Sequence, residues 1–141
     1  MHRPWHFWPV TVLAVLWFAG ASADYALTQY RADDYLALFT EDQIAYFTNM
    51  PVRVDAAWAV GAWGGLIGAV MMLAGWRRSA LILAISAGAM TFVAIWLLAL
   101  SDPPMRIVTG LTGDVVIAAA ALVSILFWLY ARWLHARGQL P

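Results

Sequence analysis

Four uncharged stretches of the sequence are each long enough to cross, as a helix, the about 30 Å hydrocarbon core of a lipid bilayer. Charged residues bracket every stretch, and only Asp114 interrupts the fourth. Allowing for the helical turns that flank these stretches, we expect transmembrane helices at about 5–29, 54–75, 79–101 and 106–132. The sequence therefore predicts an all-α membrane protein, a four-transmembrane-helix bundle.

The composition favours a membrane protein of one domain. Hydrophobic residues make up 64% of the 141 residues and charged residues 11%, whereas soluble domains average about 45–50% and about 25%. So little charge could not cover the surface of a small soluble fold. We therefore expect a single membrane domain over 1–141. The sequence has no cysteine, which excludes disulfides, zinc knuckles and cysteine nucleophiles.

The charges separate by side of the predicted membrane. All eight basic residues are arginine, and an even number of spans places five of them on one face without any carboxylate: Arg3, Arg77, Arg78, Arg132 and Arg137. The other face holds three arginines and all eight carboxylates. Because basic residues of short loops concentrate on the cytoplasmic side, we expect both termini in the cytoplasm and the acidic segments outside.

Residues 1–23 also fit a second interpretation, a secretory signal peptide. Arg3 is followed by an apolar stretch, and the residues before Asp24 read Ala21-Ser22-Ala23, a cleavage pattern. Cleavage would leave three spans. Retention of the first helix is the preferred prediction because Trp5 and Trp8 are unusually bulky for the start of a signal peptide.

The segment between the first two spans, about 30–53, is predicted to form a short helical periplasmic cap. Thr40 and Gln43 are spaced as a capping box, in which each side chain bonds the other residue's backbone N–H. The apolar residues of the segment are large, and Ile44 and Phe47 share one helix face. The predicted cap residues are Tyr35, Phe39, Ile44 and Phe47. Two interpretations stay open: a lid that only seals the bundle, or a gate for a ligand.

Small residues predict close helix packing in two places. Gly61, Gly64, Gly65 and Gly68 form two overlapping pairs of small residues four apart in the second span. Such pairs let helix backbones approach closely in lipid, within this chain or against another. The run Ala118–Ala121 in the fourth span predicts close packing there as well.

Three aspartates, Asp24, Asp55 and Asp114, are expected near the outer edge of the hydrocarbon, with Asp102 close by. At 1.5 Å per residue, Asp114 lies about 27 Å from Arg132, and Asp24 and Asp55 have similar heights on other helices. The candidate acidic outer mouth comprises Asp24, Asp55, Asp102 and Asp114. Its carboxylates could form salt bridges and anchor the interface, or they could attract a cation or a cationic substrate. Of the four, Asp114 is the candidate proton carrier.

No catalytic, metal or cofactor site is predicted. The three histidines, His2, His6 and His135, all fall at the arginine-rich face, and no span interior holds one. Membrane haem proteins place histidine ligands within spans, so haem and metal ligation are not expected. The sequence also contains no glycine-rich phosphate loop and no aromatic and basic face for nucleic acid. The chain is therefore expected not to be an enzyme.

Several short motifs resemble a group of small four-helix bacterial inner-membrane proteins that are often named "sugar transporter". The motifs are Asp24-Tyr25, Tyr46-Phe47, Pro51, Trp58 and the glycine-rich run 61–68. The similarity covers the first two spans and the segment between them best. It implies a four-helix fold in the bacterial inner (plasma) membrane and a link to transport, but no site residues.

Together these features predict a non-enzymatic accessory or assembly subunit that packs through its glycine-rich second helix. Its expected partners are the lipid bilayer and further copies of the chain or a larger membrane complex, and no nucleic acid. The alternative is a transporter of a small solute, a sugar or a cation, that acts as an oligomer, because four short helices alone enclose little volume.

Overall fold

A computed structural model describes residues 2–141, and every regular element in that range is a helix. The helices are α1 (Phe7–Gln29), α2 (Asp33–Leu36), α3 (Glu41–Thr48), α4 (Val52–Leu73), α5 (Ser79–Ile95) and α6 (Met105–Ala136). A π-helical turn, Trp96–Leu100, continues α5. Met1, the first residue of the predicted domain 1–141, lies outside the described residues.

Four helices are long and apolar enough to cross a membrane: Phe7–Gln29, Val52–Leu73, Ser79–Leu100 and Met105–Ala136. This finding confirms the predicted all-helical class, and the chain is consistent with a multi-pass membrane protein. The predicted spans overlap these helices, and their boundaries in a membrane stay a prediction.

The four long helices pack in the order α1, α4, α5, α6, each mainly against the next. Their ends separate the charges as the sequence suggests. We call the end that carries Arg3, Arg77, Arg78, Arg132 and Arg137 the arginine-rich end, and the opposite end the acidic end. In the arginine-rich half of the structure the outer two helices, α1 and α6, meet again through side chains. There the Phe18 and Phe127 ring centroids are 5.8 Å apart, and His6 Nδ1 lies 2.8 Å from Tyr130 Oη.

Three of the four glycines in α4 face other helices of the same chain. A Cβ added to Gly61 would lie 2.5 Å from Met90 Sδ, and one added to Gly68 would lie 2.8 Å from Leu83 Cγ. One added to Gly65 would overlap the ring of Phe18. The close approach to α5 also lets the Ser86 hydroxyl donate a 2.6 Å hydrogen bond to the Gly61 carbonyl oxygen.

Gly64 differs from the other three, because an added Cβ there would meet nothing nearer than Val60 Cγ1, at 4.0 Å in the same helix. The glycine spacing in α4 therefore serves contacts within the chain at three positions and leaves one position open.

Helix α6 is broken near its start, where the sequence predicts a continuous span. Gly110 has φ 73° and ψ −171°, a region of backbone conformation that is essentially restricted to glycine. The break separates the turn that begins at Met105 from the long apolar part of the helix, and the two parts take different directions.

Candidate functional site

The acidic half of the structure contains a cavity of about 500 Å³ between α1 and α6, covered by α2 and α3. Its lining begins at Ala21 on α1 and Ala120 on α6, just beyond the Phe18–Phe127 contact. From Ala120 to Thr112 the cavity extends about 12 Å along α6. It therefore occupies the half of the apolar region that lies toward the acidic end.

Small side chains leave the space for this cavity. Ala21 of α1 and Gly113 and Ala120 of α6 line its wall, and none of them reaches across to the opposite helix. On the α5 side Met90 lines the cavity, and its side chain also packs over Gly61 of α4. Small residues on both α1 and α6 therefore contribute to the gap between these helices.

The four predicted cap residues, Tyr35, Phe39, Ile44 and Phe47, all line the cavity. Hydrogen bonds hold the cover in place. Thr40 and Gln43 form the predicted capping box of α3, and Gln43 Nε2 also donates to the Val108 carbonyl oxygen of α6 at 3.4 Å. The cover is therefore fixed to the helix that forms one wall of the cavity.

A second attachment joins α3 to the end of α5. Tyr46 Oη and Ser101 Oγ are 2.8 Å apart, and the Ser101 hydroxyl also bonds the carbonyl oxygen of Leu97 at 2.9 Å. Burial raises the pKa of the Tyr46 hydroxyl; the bond with Ser101 lowers it, and the charge of Asp114 raises it. Tyr46 therefore stays neutral at physiological pH and serves as a hydrogen-bonding group.

The cavity is mostly apolar, with its polar groups concentrated toward the acidic end. The polar lining residues are Asp24, Thr28, Tyr35, Gln43, Thr109 and Thr112. The Tyr35 hydroxyl donates a hydrogen bond to Asp24 Oδ1. Burial raises the pKa of Tyr35, and both this bond and the charge of Asp24 raise it further. Tyr35 is therefore a stable neutral donor.

The structure places the four predicted mouth carboxylates in different surroundings. Asp24 lines the cavity, whereas Asp102 lines a second, shallower groove between α3 and the start of α6. Asp114 forms an ion pair with Arg106, in which Arg106 Nε donates to Asp114 Oδ2 at 2.9 Å. Asp55 Oδ1 is buried without a hydrogen-bond partner among residues 2–141. Of the four, Asp24 alone belongs to the cavity.

A metal site is not formed by the described residues: within 2–141, no three histidine or carboxylate side chains converge on one point. The cavity combines apolar walls with a polar end. Its walls can exclude water and contact a hydrocarbon chain, while its polar end can accept and donate hydrogen bonds.

Sequence reasoning missed the cavity walls. Ala21, Met90, Gly113 and Ala120 line the cavity, yet their residue types favour tight packing or filling of the core. One signal was available, since small residues occur on both α1 and α6 at similar heights. The sequence could not show that a cavity separates these two helices there.

Comparisons of the chain with protein-family models, with curated proteins and with solved structures give no match. The resemblance to small four-helix bacterial proteins therefore stays a prediction. The class that the structure defines is an all-helical protein with four helices apolar enough to cross a membrane, consistent with a multi-pass membrane protein.

Proposed function

We propose that this chain is a non-enzymatic protein of the bacterial inner membrane that binds an amphipathic molecule of the bilayer in the cavity between α1 and α6. The observation that carries the proposal is the cavity itself, about 500 Å³ of mostly apolar space with polar groups at one end. That volume lies within the range of about 300–1,000 Å³ typical of small-molecule sites. The four cap residues then act as the cover of a binding site.

The chemistry of the lining favours a hydrocarbon chain over a sugar or a bare cation. A sugar needs many hydrogen-bonding groups around it, but the deep part of the cavity presents Met90, Ile117 and Ala120. Thr112 and Val116 line the cavity and are also exposed on the outside of α6. A chain from the surrounding lipid can therefore enter sideways between α1 and α6.

Transport of a small solute, the alternative from the sequence, needs a further conformational step. The cavity ends short of the Phe18–Phe127 contact, and beyond it the buried core of the arginine-rich end includes Phe7, Ala14 and Leu134. Passage across the protein would require these side chains to separate. Binding from one side needs no such change.

The proposal is tested with a long-chain alcohol that carries a photoreactive diazirine at the end of its chain, added to the protein in nanodiscs. We expect cross-linked adducts to concentrate on cavity residues such as Met90 and Ile117, and excess unlabelled alcohol to reduce these adducts. Adducts on lipid-facing residues such as Leu81 and Leu126, which are 62% and 54% exposed, should hardly change. Adducts spread evenly over all exposed apolar positions would contradict the proposal.

The proposed orientation has the termini in the cytoplasm, with α2 and α3 in the periplasm as a helical cap on a four-helix bundle. It rests on the five arginines at one end and the excess of carboxylates at the other. Because the chain has no cysteine, single cysteines can report it. We expect a membrane-impermeant maleimide to label Asn49→Cys in spheroplasts, and Ala74→Cys only after lysis; both positions are exposed. The reverse pattern would overturn the orientation.

Assembly with another copy or with a larger complex is a second candidate function. The observation that favours it is Gly64, the one glycine of the α4 pairs whose surface is open. Substituting leucine at this position should lower the mass of any oligomer in mild detergent without unfolding the protomer. An unchanged mass for Gly64→Leu would remove α4 as the assembly surface.

A further inference from the structure

The polar end of the cavity contains a carboxylate without a basic partner. Within residues 2–141 the one ion pair joins Arg106 to Asp114, and Asp24 receives its hydrogen bond from the neutral Tyr35 hydroxyl. That bond uses Oδ1, so Oδ2 stays free for another donor. A negative charge at the rim of an apolar cavity favours a positive charge beside it.

Two further oxygen atoms lie near this carboxylate. Thr28 follows Asp24 by four residues, which places the two side chains on the same face of α1, about 6 Å apart along the axis. Thr28 is 6% exposed and lines the cavity. The Tyr35 hydroxyl, a donor to Asp24, retains its lone pairs as an acceptor. A primary ammonium group has three N–H donors, which matches this set of oxygens.

The head group of the ligand must provide the selectivity, because its hydrocarbon chain cannot. A ligand that enters from lipid exchanges one hydrocarbon environment for another, and lipid tails are as apolar as the side chains of the cavity. The acidic end as a whole carries eight carboxylates against three arginines, so an anionic head is repelled. We therefore propose that the cavity selects a single-chain amphiphile with a primary ammonium head, held by Asp24, Thr28 and Tyr35.

This inference rests on the proposed function, and its test uses competition against the photoreactive alcohol in phosphatidylcholine nanodiscs. The competitors share one chain and differ in the head group: dodecylammonium, dodecanol and dodecanoate. A charge-assisted hydrogen bond corresponds to roughly tenfold or more in affinity. We expect dodecylammonium to halve the cavity adducts at a concentration about tenfold lower than dodecanol, and dodecanoate to be weakest.

Two matched variants separate the site from the general charge of the acidic end. Asp24→Asn keeps the size of the side chain and an acceptor for Tyr35 but removes the charge, so dodecylammonium and dodecanol should compete equally. Asp102→Asn removes the same charge from the separate groove and should retain the tenfold preference. If both variants lose the preference for dodecylammonium equally, the preference comes from the general negative charge of this end, and the inference is overturned.

Other outcomes are also decisive. Equal competition by all three amphiphiles on the unmodified chain would overturn the ammonium preference and leave the cavity as a chain-binding site. The absence of cavity adducts would overturn the proposed function itself. If Asp24→Asn unfolds, Thr28→Val replaces it: we expect this variant to reduce the preference for dodecylammonium several-fold, and an unchanged preference would count against the site.

Discussion

Gly65→Leu is expected to prevent stable folding, whereas Gly64→Leu should leave the protomer folded. At Gly65 even a Cβ atom would overlap the ring of Phe18, which is 1% exposed and packs against Phe127. A ring that moved away from the new Cβ would lose its contact with Phe127. Overpacking by even a few atoms costs about 1–3 kcal/mol, and leucine adds three more carbon atoms beyond Cβ.

The measurement is thermal unfolding in a mild detergent, followed by circular dichroism and size-exclusion chromatography. Because Gly65→Leu is expected to yield little folded protein, Gly65→Ala provides a measurable version, with an expected loss of about 1–3 kcal/mol. Gly64→Ala is the matched control. It should be neutral or slightly stabilising, because glycine within a helix costs roughly 0.5–1 kcal/mol relative to alanine.

A compensating substitution makes the explanation specific. Phe18→Ala removes the Cγ, Cδ1 and Cε1 atoms that the new Cβ would meet, so it should destabilise the Gly65→Ala variant less than it destabilises the unmodified chain. Substitutions of two residues that touch each other are expected to show a coupling energy of about 0.5–3 kcal/mol in a double-mutant cycle. Strictly additive losses would contradict a clash between these two side chains.

The same comparison shows why the sequence alone gives an ambiguous test of assembly. The spacing of the four glycines is compatible with a contact inside the chain and with a contact to another copy. A substitution at Gly65 would change the oligomer mass simply by unfolding the protomer. Only the packing of Phe18, Met90 and Leu83 against α4 distinguishes Gly64 as the position where the test is informative.

The long helices were predictable because lipid imposes a simple rule. A chain must satisfy its backbone hydrogen bonds within the bilayer, so uncharged stretches of sufficient length become helices. The capping box at Thr40 and Gln43 was predictable for a similar reason, because two side chains near in sequence satisfy local backbone groups. In both cases the determining interactions are local.

The break at Gly110 and the cavity depend on interactions that are not local. A glycine in an apolar run is compatible with a straight helix, so the sequence does not require the positive φ of Gly110. The turn before Gly110 is attached to α3 by the hydrogen bond from Gln43 to the Val108 carbonyl oxygen. Small residues likewise have two outcomes. They allow close contact at Gly61 and Gly68, yet at Ala21 and Ala120 they leave space between α1 and α6.

Filling the cavity should abolish binding without harming the fold. Ala120 lies at the deep end of the cavity, and a large ring attached there would occupy the space that the end of a bound chain needs. We expect Ala120→Trp to reduce cross-linking of the photoreactive alcohol to Met90 and Ile117 at least tenfold. Its thermal stability should be unchanged or higher, because a filled cavity gains dispersion contacts.

The neighbouring alanine provides the control. Ala119 is exposed on α6 and does not line the cavity, so Ala119→Trp adds the same indole to the lipid-facing side of the same helix. We expect this variant to cross-link as the unmodified chain does. If both variants lose cross-linking equally, the added indole disturbs helix α6 as a whole, and the loss does not result from filling the cavity. If neither variant loses cross-linking, the photoreactive alcohol binds elsewhere. The cavity is then a packing gap that α2 and α3 only cover.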